Sequence, residues 1–293
     1  MRAGNAPDAG PHTGPTTNTN APAVPREIPN PSRMFPSMYS GNIRAVFARG
    51  LLATKQSNIA VVASGFLEPV LYLLAMGIGL GSMIGSLEGP GGTQISYAAY
   101  IAPALLAVSA MNGAVIDSTW NVFFKLNLAK LYRVMLNTSL GPIDVAAGEI
   151  ALALLRGAIY AGGFTIVMVV LGLVSATWAV LLIPAAVLIA FGFASFGMGI
   201  TSFMTTFQQM DWIEFVMLPM FLFSATFYPI DVYPHWVQVI IEILPLWHGV
   251  ELLRSISQGV FSLALLGHLT YFIVMIVAGM LLTTTRLRTL FQK

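Results

Sequence analysis

The sequence has no cysteine and very little charge. Only 9% of its 293 residues are charged, whereas 56% are hydrophobic. The lack of cysteine excludes disulfides, thiol catalysis and thiolate metal sites. Soluble domains average about 25% charged residues, so a soluble fold of this composition could not cover its surface. The composition therefore predicts an integral membrane protein, and the net charge of +2 does not indicate a nucleic-acid partner.

Motifs of several catalytic classes are also missing. The sequence contains no Gly-Lys pair, which excludes ATP binding by a P-loop in this chain. It contains neither H-E-x-x-H nor G-x-S-x-G, and no nucleophile and base are paired as an intramembrane protease requires. An intramembrane enzyme acting on lipid-linked substrates is therefore an alternative without a motif to support it.

Residues 1–36 differ from the rest of the chain. They are rich in Pro, Thr, Asn and Ala and show almost no apolar periodicity. Such a segment cannot bury enough apolar surface to fold, so we expect a disordered, Pro-rich cytoplasmic tail. It does not read as a signal peptide, because no apolar stretch follows Arg2. Residues 37–293 are expected to form one six-span membrane domain.

Six apolar stretches are candidate spans, since a helix needs about 20 apolar residues to cross the bilayer. They are residues 59–80, 97–117, 150–174, 178–204, 212–228 and 263–285. Lys and Arg cluster before the first stretch, between the second and third, and after the sixth. Cytoplasmic loops carry this excess of Lys and Arg. We therefore predict an all-α polytopic membrane protein with six transmembrane helices and both termini in the cytoplasm.

Two cytoplasmic segments are amphipathic. In residues 41–58, Ile43, Val46 and Phe47 fall on one helical face, which is typical of a basic interfacial helix; simple anchoring is its alternative role. In the loop of residues 120–150, five apolar side chains can form one helical stripe, namely those of Phe124, Leu128, Leu131, Tyr132 and Met135. An apolar stripe facing the cytoplasm needs a cover, either lipid or another protein.

The segment of residues 223–262 is predicted to lie on the outer side. Three prolines divide it into apolar pieces too short to span, namely Pro229, Pro234 and Pro245. This pattern fits a re-entrant hairpin before span six, and Tyr228 and Trp236 suit the membrane–water interface. His248 and Glu251 have the spacing of two metal ligands, which are too few for a stable site. We interpret them as interfacial residues that hydrogen-bond each other and water.

The first predicted span contains Glu68 and Pro69. A carboxylate at a helix centre costs about 2.5–3.5 kcal/mol, but the eleven Leu, Ile, Val and Phe residues of this stretch offset it at about 0.3–0.6 kcal/mol each. The carboxylate should face the bundle interior or a hydrated cavity. Two interpretations stay open: a pair with Arg156 in the third span, or direct contact with substrate or protons.

Three segments resemble the permease subunits of type-2 ABC exporters, the group that includes NodJ-type nodulation-factor exporters, daunorubicin exporters and O-antigen exporters. EPVLYLLAMGIGLG (residues 68–81) resembles the first span of the NodJ type. LGPIDVAAGEI (residues 140–150) resembles the stretch that leads to a Gly-Glu at the head of the third span. FYPIDVYPHWVQVIIEILPLWHGVELLR (residues 227–254) resembles the outer turn of the family. The likeness covers residues 40–290 and leaves out the tail.

The resemblance implies a half-transporter that exports a lipid, glycolipid, polysaccharide or drug-like molecule across the bacterial plasma membrane. Two permeases, identical or homologous, would pair, and each would dock a separate ATPase that binds ATP and Mg²⁺. This chain would bind no cofactor itself. The loop between spans two and three carries a coupling helix in this family. The cover of the apolar stripe would then be the ATPase, with Glu149 orienting the loop.

The resemblance also implies a translocation path along spans one, two and five, and an outer gate. Candidate path residues or intramembrane polar residues are Glu68, Pro69, Tyr72 and Arg156. Candidate gate residues are Phe227, Tyr228, Pro229, Pro234, Trp236, Pro245, Glu251 and Arg254. A proton-coupled secondary transporter with Glu68 as the proton carrier is the alternative function.

Overall fold

A computed structural model describes residues 41–55 and 67–291, and nearly all of this part is helical. Apart from three 3₁₀ turns, its helices and strands are α1 (Ile43–Lys55), α2 (Leu67–Ile84), β1 (Ser86–Glu88), β2 (Gln94–Ser96), α3 (Tyr97–Leu128), α4 (Leu131–Leu136), α5 (Pro142–Val170), α6 (Ala176–Thr201), α7 (Asp211–Phe223), α8 (His235–Ile243), α9 (Pro245–Ser257) and α10 (Leu263–Phe291). The all-α prediction is confirmed. The small β1–β2 hairpin was not predicted.

Five helices are long and apolar enough to cross a membrane, namely α2, α3, α5, α6 and α10. Helices α8 and α9 form a sixth candidate, which is bent by 87°. Pro245 begins α9 at this bend, because proline is tolerated in the first turn of a helix but not in its interior. The prediction of a polytopic membrane protein is confirmed. The predicted tail and residues 59–66 of the first predicted span lie outside the described residues.

The fifth predicted span is shorter than the sequence indicates. Helix α7 has 13 residues, about 20 Å at 1.5 Å per residue, and it ends where Ala225 takes a positive φ of 53°. The backbone from Ser224 to Tyr228 is not helical. The prediction of one helix through residue 228 was therefore wrong at its C-terminal end.

Helix α3 forms the centre of the bundle. Its residues from Tyr97 to Val115 are nearly all buried, and it packs against α5, α6 and α9. Gly113 allows one of these contacts, since a Cβ atom there would lie 2.7 Å from Cδ2 of Tyr160. Small residues let membrane helices approach closely, so α3 and α5 lie almost backbone to backbone at this point.

Helix α1 is docked on the start of α5. Val46 and Gly50 are buried in this contact, and a Cβ atom on Gly148 would lie 2.6 Å from Val46. The backbone N–H of Asn42 donates to the Asp144 carboxylate at 3.2 Å. The apolar face predicted to contact lipid is therefore covered at its centre by protein.

Candidate functional site

A cavity of about 400 Å³ lies between α2, α3 and α7. It is lined by Glu68, Pro69, Tyr72, Leu105, Val108, Met111, Asn112, Val115, Ile116, Trp120, Ile213, Glu214, Met217, Leu218 and Phe221. Both charged side chains of this lining are carboxylates, and the remaining lining is mostly apolar and aromatic. The cavity can therefore take an apolar molecule that carries hydrogen-bonding or cationic groups.

The structure places Glu68 on this cavity and not beside Arg156. Nε of Arg156 lies 2.9 Å from Oδ2 of Asp117, and both side chains are largely buried. Asn121 donates a further hydrogen bond to Asp117. The expected Glu68–Arg156 pair was therefore wrong, because the facing helix α3 supplies a closer carboxylate. Asp117 neutralises the cation of α5 instead.

Three aromatic rings meet at one end of the cavity. The Tyr72 ring centroid lies 5.5 Å from that of Phe221 and 6.3 Å from that of Phe227. Phe221 and Phe227 are themselves 5.3 Å apart in an edge-to-face contact, the geometry that aromatic pairs prefer. The structure thus joins a predicted path residue to a predicted gate residue, which spacing in the sequence did not indicate.

The buried side chain of Arg254 holds the segment that follows α7. Arg254 is 2% exposed, and its NH1 lies 2.5 Å from Oε1 of Glu251. Its NH2 donates to the carbonyl oxygen of Ala225 at 2.9 Å, and its guanidinium carbon lies 3.9 Å from the ring centre of Tyr100. We call these four residues the Arg254 clamp. A cation over an aromatic face is stabilised without water, so a charge can remain at this depth.

The other predicted gate residues are not gathered at the clamp. Phe227 is buried, whereas Tyr228 and Trp236 are exposed. Pro229 and Pro234 precede the turn Ile230–Val232 and the helix α8. The predicted mutual hydrogen bonding of His248 and Glu251 was also wrong: Glu251 pairs with Arg254, and His248 contacts His268.

A second charged site lies where α1, α3 and α5 meet. Glu149 of α5 pairs with NH2 of Arg49 at 3.2 Å and with Nζ of Lys125 at 2.5 Å, and its side chain is only 3% exposed. Tyr132 of α4 is fully buried. Burial and the nearby Glu149 carboxylate raise the pKa of Tyr132 well above its usual value. We call these four residues the Glu149 junction. A buried carboxylate is costly unless it is paired, and here the pairs connect three elements.

The predicted apolar stripe is split into two faces. Phe124 and Leu128 are 57% and 61% exposed, whereas Tyr132 and Met135 are buried. Lys130 has a left-handed backbone with φ of 49°, so the helix breaks between α3 and α4 and its second half turns inward. The prediction of one continuous stripe was therefore wrong, and Leu131 is only half-buried. Val134, which was not predicted, is exposed on α4.

Helix α7 has empty volume on a second side as well. A mostly apolar cavity of about 260 Å³ lies between α3, α6 and α7, and Val115, Ile213 and Met217 line both this cavity and the first one. Sequence reasoning did not find Glu214 on α7. The sequence feature that could have identified Glu214 is the one that identified Glu68, a carboxylate inside a predicted apolar span.

These features define a multi-pass helical membrane protein with cavities between its spans. Residues 41–257 match the family model described as ABC-2 type transporter, so the chain belongs to that family and is the membrane subunit of an ABC exporter. It is 31% identical to nodulation protein J of Rhizobium leguminosarum bv. viciae over 252 residues, which cover 84% of this chain and 94% of that protein. It is 28% identical to nodulation protein J of Rhizobium meliloti (strain 1021) over 218 residues, 73% of this chain and 80% of that protein.

Proposed function

We propose that the chain is the permease half of an ATP-driven exporter in the bacterial inner membrane. The cavity between α2, α3 and α7 carries this proposal, because a substrate site in a membrane subunit must lie between spans and offer polar groups. The cargo is a lipid, glycolipid, polysaccharide or drug-like molecule with apolar parts. Two permeases pair, as identical or homologous chains, and each docks one ATPase that binds ATP and Mg²⁺.

The ATPase docks on the exposed apolar side chains near α4. Phe124, Leu128 and Val134 are large, exposed and close in the chain, and such a patch is covered by a partner. The Glu149 junction lies directly behind α4, since Tyr132 belongs to both. A displacement of α4 by the ATPase is therefore passed to α1, α3 and α5. This proposal requires α1 and α4 to lie on the cytoplasmic side, which their Lys and Arg content also favours.

A pull-down from the native membrane in mild detergent tests this assignment. The wild-type chain should retain a stoichiometric subunit with a P-loop and ATPase activity. Phe124→Asp combined with Leu128→Asp should release that subunit, because two carboxylates cannot be buried in an apolar contact. Met83→Asp is the matched control, since Met83 is also an exposed apolar residue but lies in the last turn of α2, before the β1–β2 hairpin. Retention of the ATPase by the double variant would place the docking surface elsewhere.

Two carboxylates on one cavity also favour a second candidate, a proton-coupled transporter with Glu68 as carrier. This candidate predicts transport by the purified chain in liposomes with a proton gradient and no ATPase. The exporter instead predicts transport only with the ATPase and ATP. In the exporter, Glu68→Gln should reduce transport by about tenfold, equivalent to the loss of one charged hydrogen bond, and in the proton-coupled transporter it should abolish transport. The fold should be retained in both cases. Full transport by Glu68→Gln would exclude a role for this carboxylate.

A further inference from the structure

Two histidines join the bent α8–α9 hairpin to the last span. Nδ1 of His248 on α9 lies 2.8 Å from Nδ1 of His268 on α10. The imidazole ring of His248 also stacks on the ring of Tyr271, with centroids 3.9 Å apart. The Trp247 ring lies edge-on to both imidazoles, at 5.0 and 5.4 Å. The contact is therefore a half-buried aromatic cluster with one hydrogen bond at its centre.

The same cluster also holds the bend of the hairpin. The hydroxyl of Tyr271 donates to the carbonyl oxygen of Ile243 at 2.9 Å, and Ile243 is the last residue of α8. One face of the cluster borders a groove of about 750 Å³, which Phe196 of α6 also lines. The hairpin thus has empty space beside it and a small number of polar contacts that fix its angle.

The Nδ1–Nδ1 hydrogen bond depends on the number of protons that the two rings carry. One Nδ1 must donate and the other must offer a lone pair. Two neutral imidazoles meet this requirement, and so does one neutral imidazole with one imidazolium. Two imidazolium rings cannot meet it, because both Nδ1 atoms then carry hydrogen and the two positive charges repel each other. Histidine is the side chain that changes charge between about pH 5 and 8.

Neighbouring charged groups leave this dependence in place. The Glu251 carboxylate lies close enough to attract a positive charge on His268, but it is already paired with Arg254 at 2.5 Å. From α8 the backbone carbonyl of Glu242 faces His248. From α10 the hydroxyl of Tyr271 is engaged by Ile243, and α6 contributes Phe196 to the groove.

We propose that His248 and His268 form a proton-operated latch, closed while at least one of the two rings is neutral and released when both are protonated. Release removes the hydrogen bond that joins α9 to α10, and the two charges push the helices apart at this point. Because α9 also carries Arg254, the segment at Ala225 and Phe227 then loses its fixed position at the end of the cavity. A low pH on the side of the membrane where the α8–α9 hairpin lies thereby loosens the gate segment, and this effect does not require the ATPase.

Pulsed EPR distances between two spin labels test the latch on the full chain in lipid nanodiscs. The chain has no cysteine, so Val239→Cys on α8 and Ile273→Cys on α10 give two specific and exposed labelling sites. Between about pH 8 and about pH 3.5, a population with a longer distance should appear. This range extends well below the usual imidazole pKa of about 6.5, because the charge on the first ring opposes protonation of the second. An unchanged distance distribution over this range would overturn the proposal.

Three variants separate the latch from general acid effects. His268→Gln cannot gain a charge, and His248→Phe keeps a ring against Tyr271, so both should abolish the pH-dependent distance change. His235→Gln is the matched control, because His235 is exposed at the start of α8, and it should leave the change intact. Survival of the change in both His268→Gln and His248→Phe would overturn the latch. Size-exclusion profiles check that each variant is folded, and because no ATPase is present the result is independent of the proposed function.

Discussion

The Glu149 junction and the Arg254 clamp both contain a buried charge, but they balance it differently. At the junction, the carboxylate pairs with Arg49 and Lys125, whose side chains are 38% and 24% exposed. At the clamp, the guanidinium meets a carboxylate, a backbone carbonyl and an aromatic ring, and it has no such access to water. Both cations of the junction can turn to solvent when the contact changes, whereas at the clamp only Glu251, which is 27% exposed, can do so. The junction therefore suits transmission of movement, and the clamp suits fixing a backbone segment.

The largest effect is expected at the clamp. Arg254→Ala leaves the buried Ala225 carbonyl without its partner, leaves a cavity beside Tyr100, and breaks the ion pair with the partly exposed Glu251. An unpaired buried carbonyl costs about 1–3 kcal/mol, and the cavity left by a large buried side chain costs about 2–5 kcal/mol. The free energy of unfolding should therefore fall by about 3 kcal/mol or more in a denaturant titration followed by tryptophan fluorescence. Arg254→Lys, which keeps the charge but loses the planar fork, should lose less. A loss under about 1 kcal/mol for Arg254→Ala would show that the clamp does not hold the fold.

A smaller effect is expected at the junction. Glu149→Gln removes both ion pairs, but Arg49 and Lys125 can then be hydrated. We expect a loss of about 1–3 kcal/mol in the same titration, the range for hydrogen bonds to charged groups. In the assembled exporter this variant should also reduce transport for each ATP hydrolysed. Glu88→Gln on the exposed strand β1 is the control and should change neither quantity. A greater loss for Glu149→Gln than for Arg254→Ala would reverse the comparison.

The smallest effect is expected at Tyr132. Its hydroxyl is buried and has no hydrogen-bond partner in the described part of the chain, so Tyr132→Phe should change the unfolding free energy at neutral pH by no more than about 0.5 kcal/mol. The raised pKa has a consequence at alkaline pH. Between about pH 10 and the higher pKa of the folded state, only the unfolded chain releases the phenolic proton, so stability falls as pH rises. Tyr132→Phe should lose less stability than wild type over this range; equal losses would contradict the burial of the hydroxyl.

The spans could be predicted from the sequence because each one is a continuous run of apolar residues and does not depend on contacts with distant segments. A helix in lipid must satisfy its own backbone hydrogen bonds, so the length of an apolar run decides most of the outcome, as for α10, which starts at the predicted residue 263. The prolines of residues 223–262 predicted the bend because a proline inside a helix removes a backbone hydrogen bond. Within the candidate site, Glu68 was found because a carboxylate in an apolar run is costly wherever its partner lies.

Contacts between distant segments could not be predicted in this way. The sequence indicates that Arg156 needs a carboxylate, but only the packing of α5 on α3 selects Asp117 over Glu68. The left-handed backbone of Lys130 is not encoded by its side chain, and this single residue separates the two halves of the apolar stripe. The Arg254 clamp depends on a carbonyl oxygen 29 residues away. Every residue carries such a carbonyl group, so the residue types and their spacing do not reveal which one accepts the hydrogen bond.

The position of α7 between two cavities has a mechanical consequence. The helix is held at its C-terminal end, where the Arg254 clamp binds the carbonyl oxygen of Ala225, and at its other end, where Met210 is fully buried. Between these ends, Ile213 and Met217 line both cavities, so they separate one empty volume from the other. A rotation of the helix about its own axis enlarges one cavity as it compresses the other. The two volumes are thus coupled by one helix, and filling either of them changes the space left in the other.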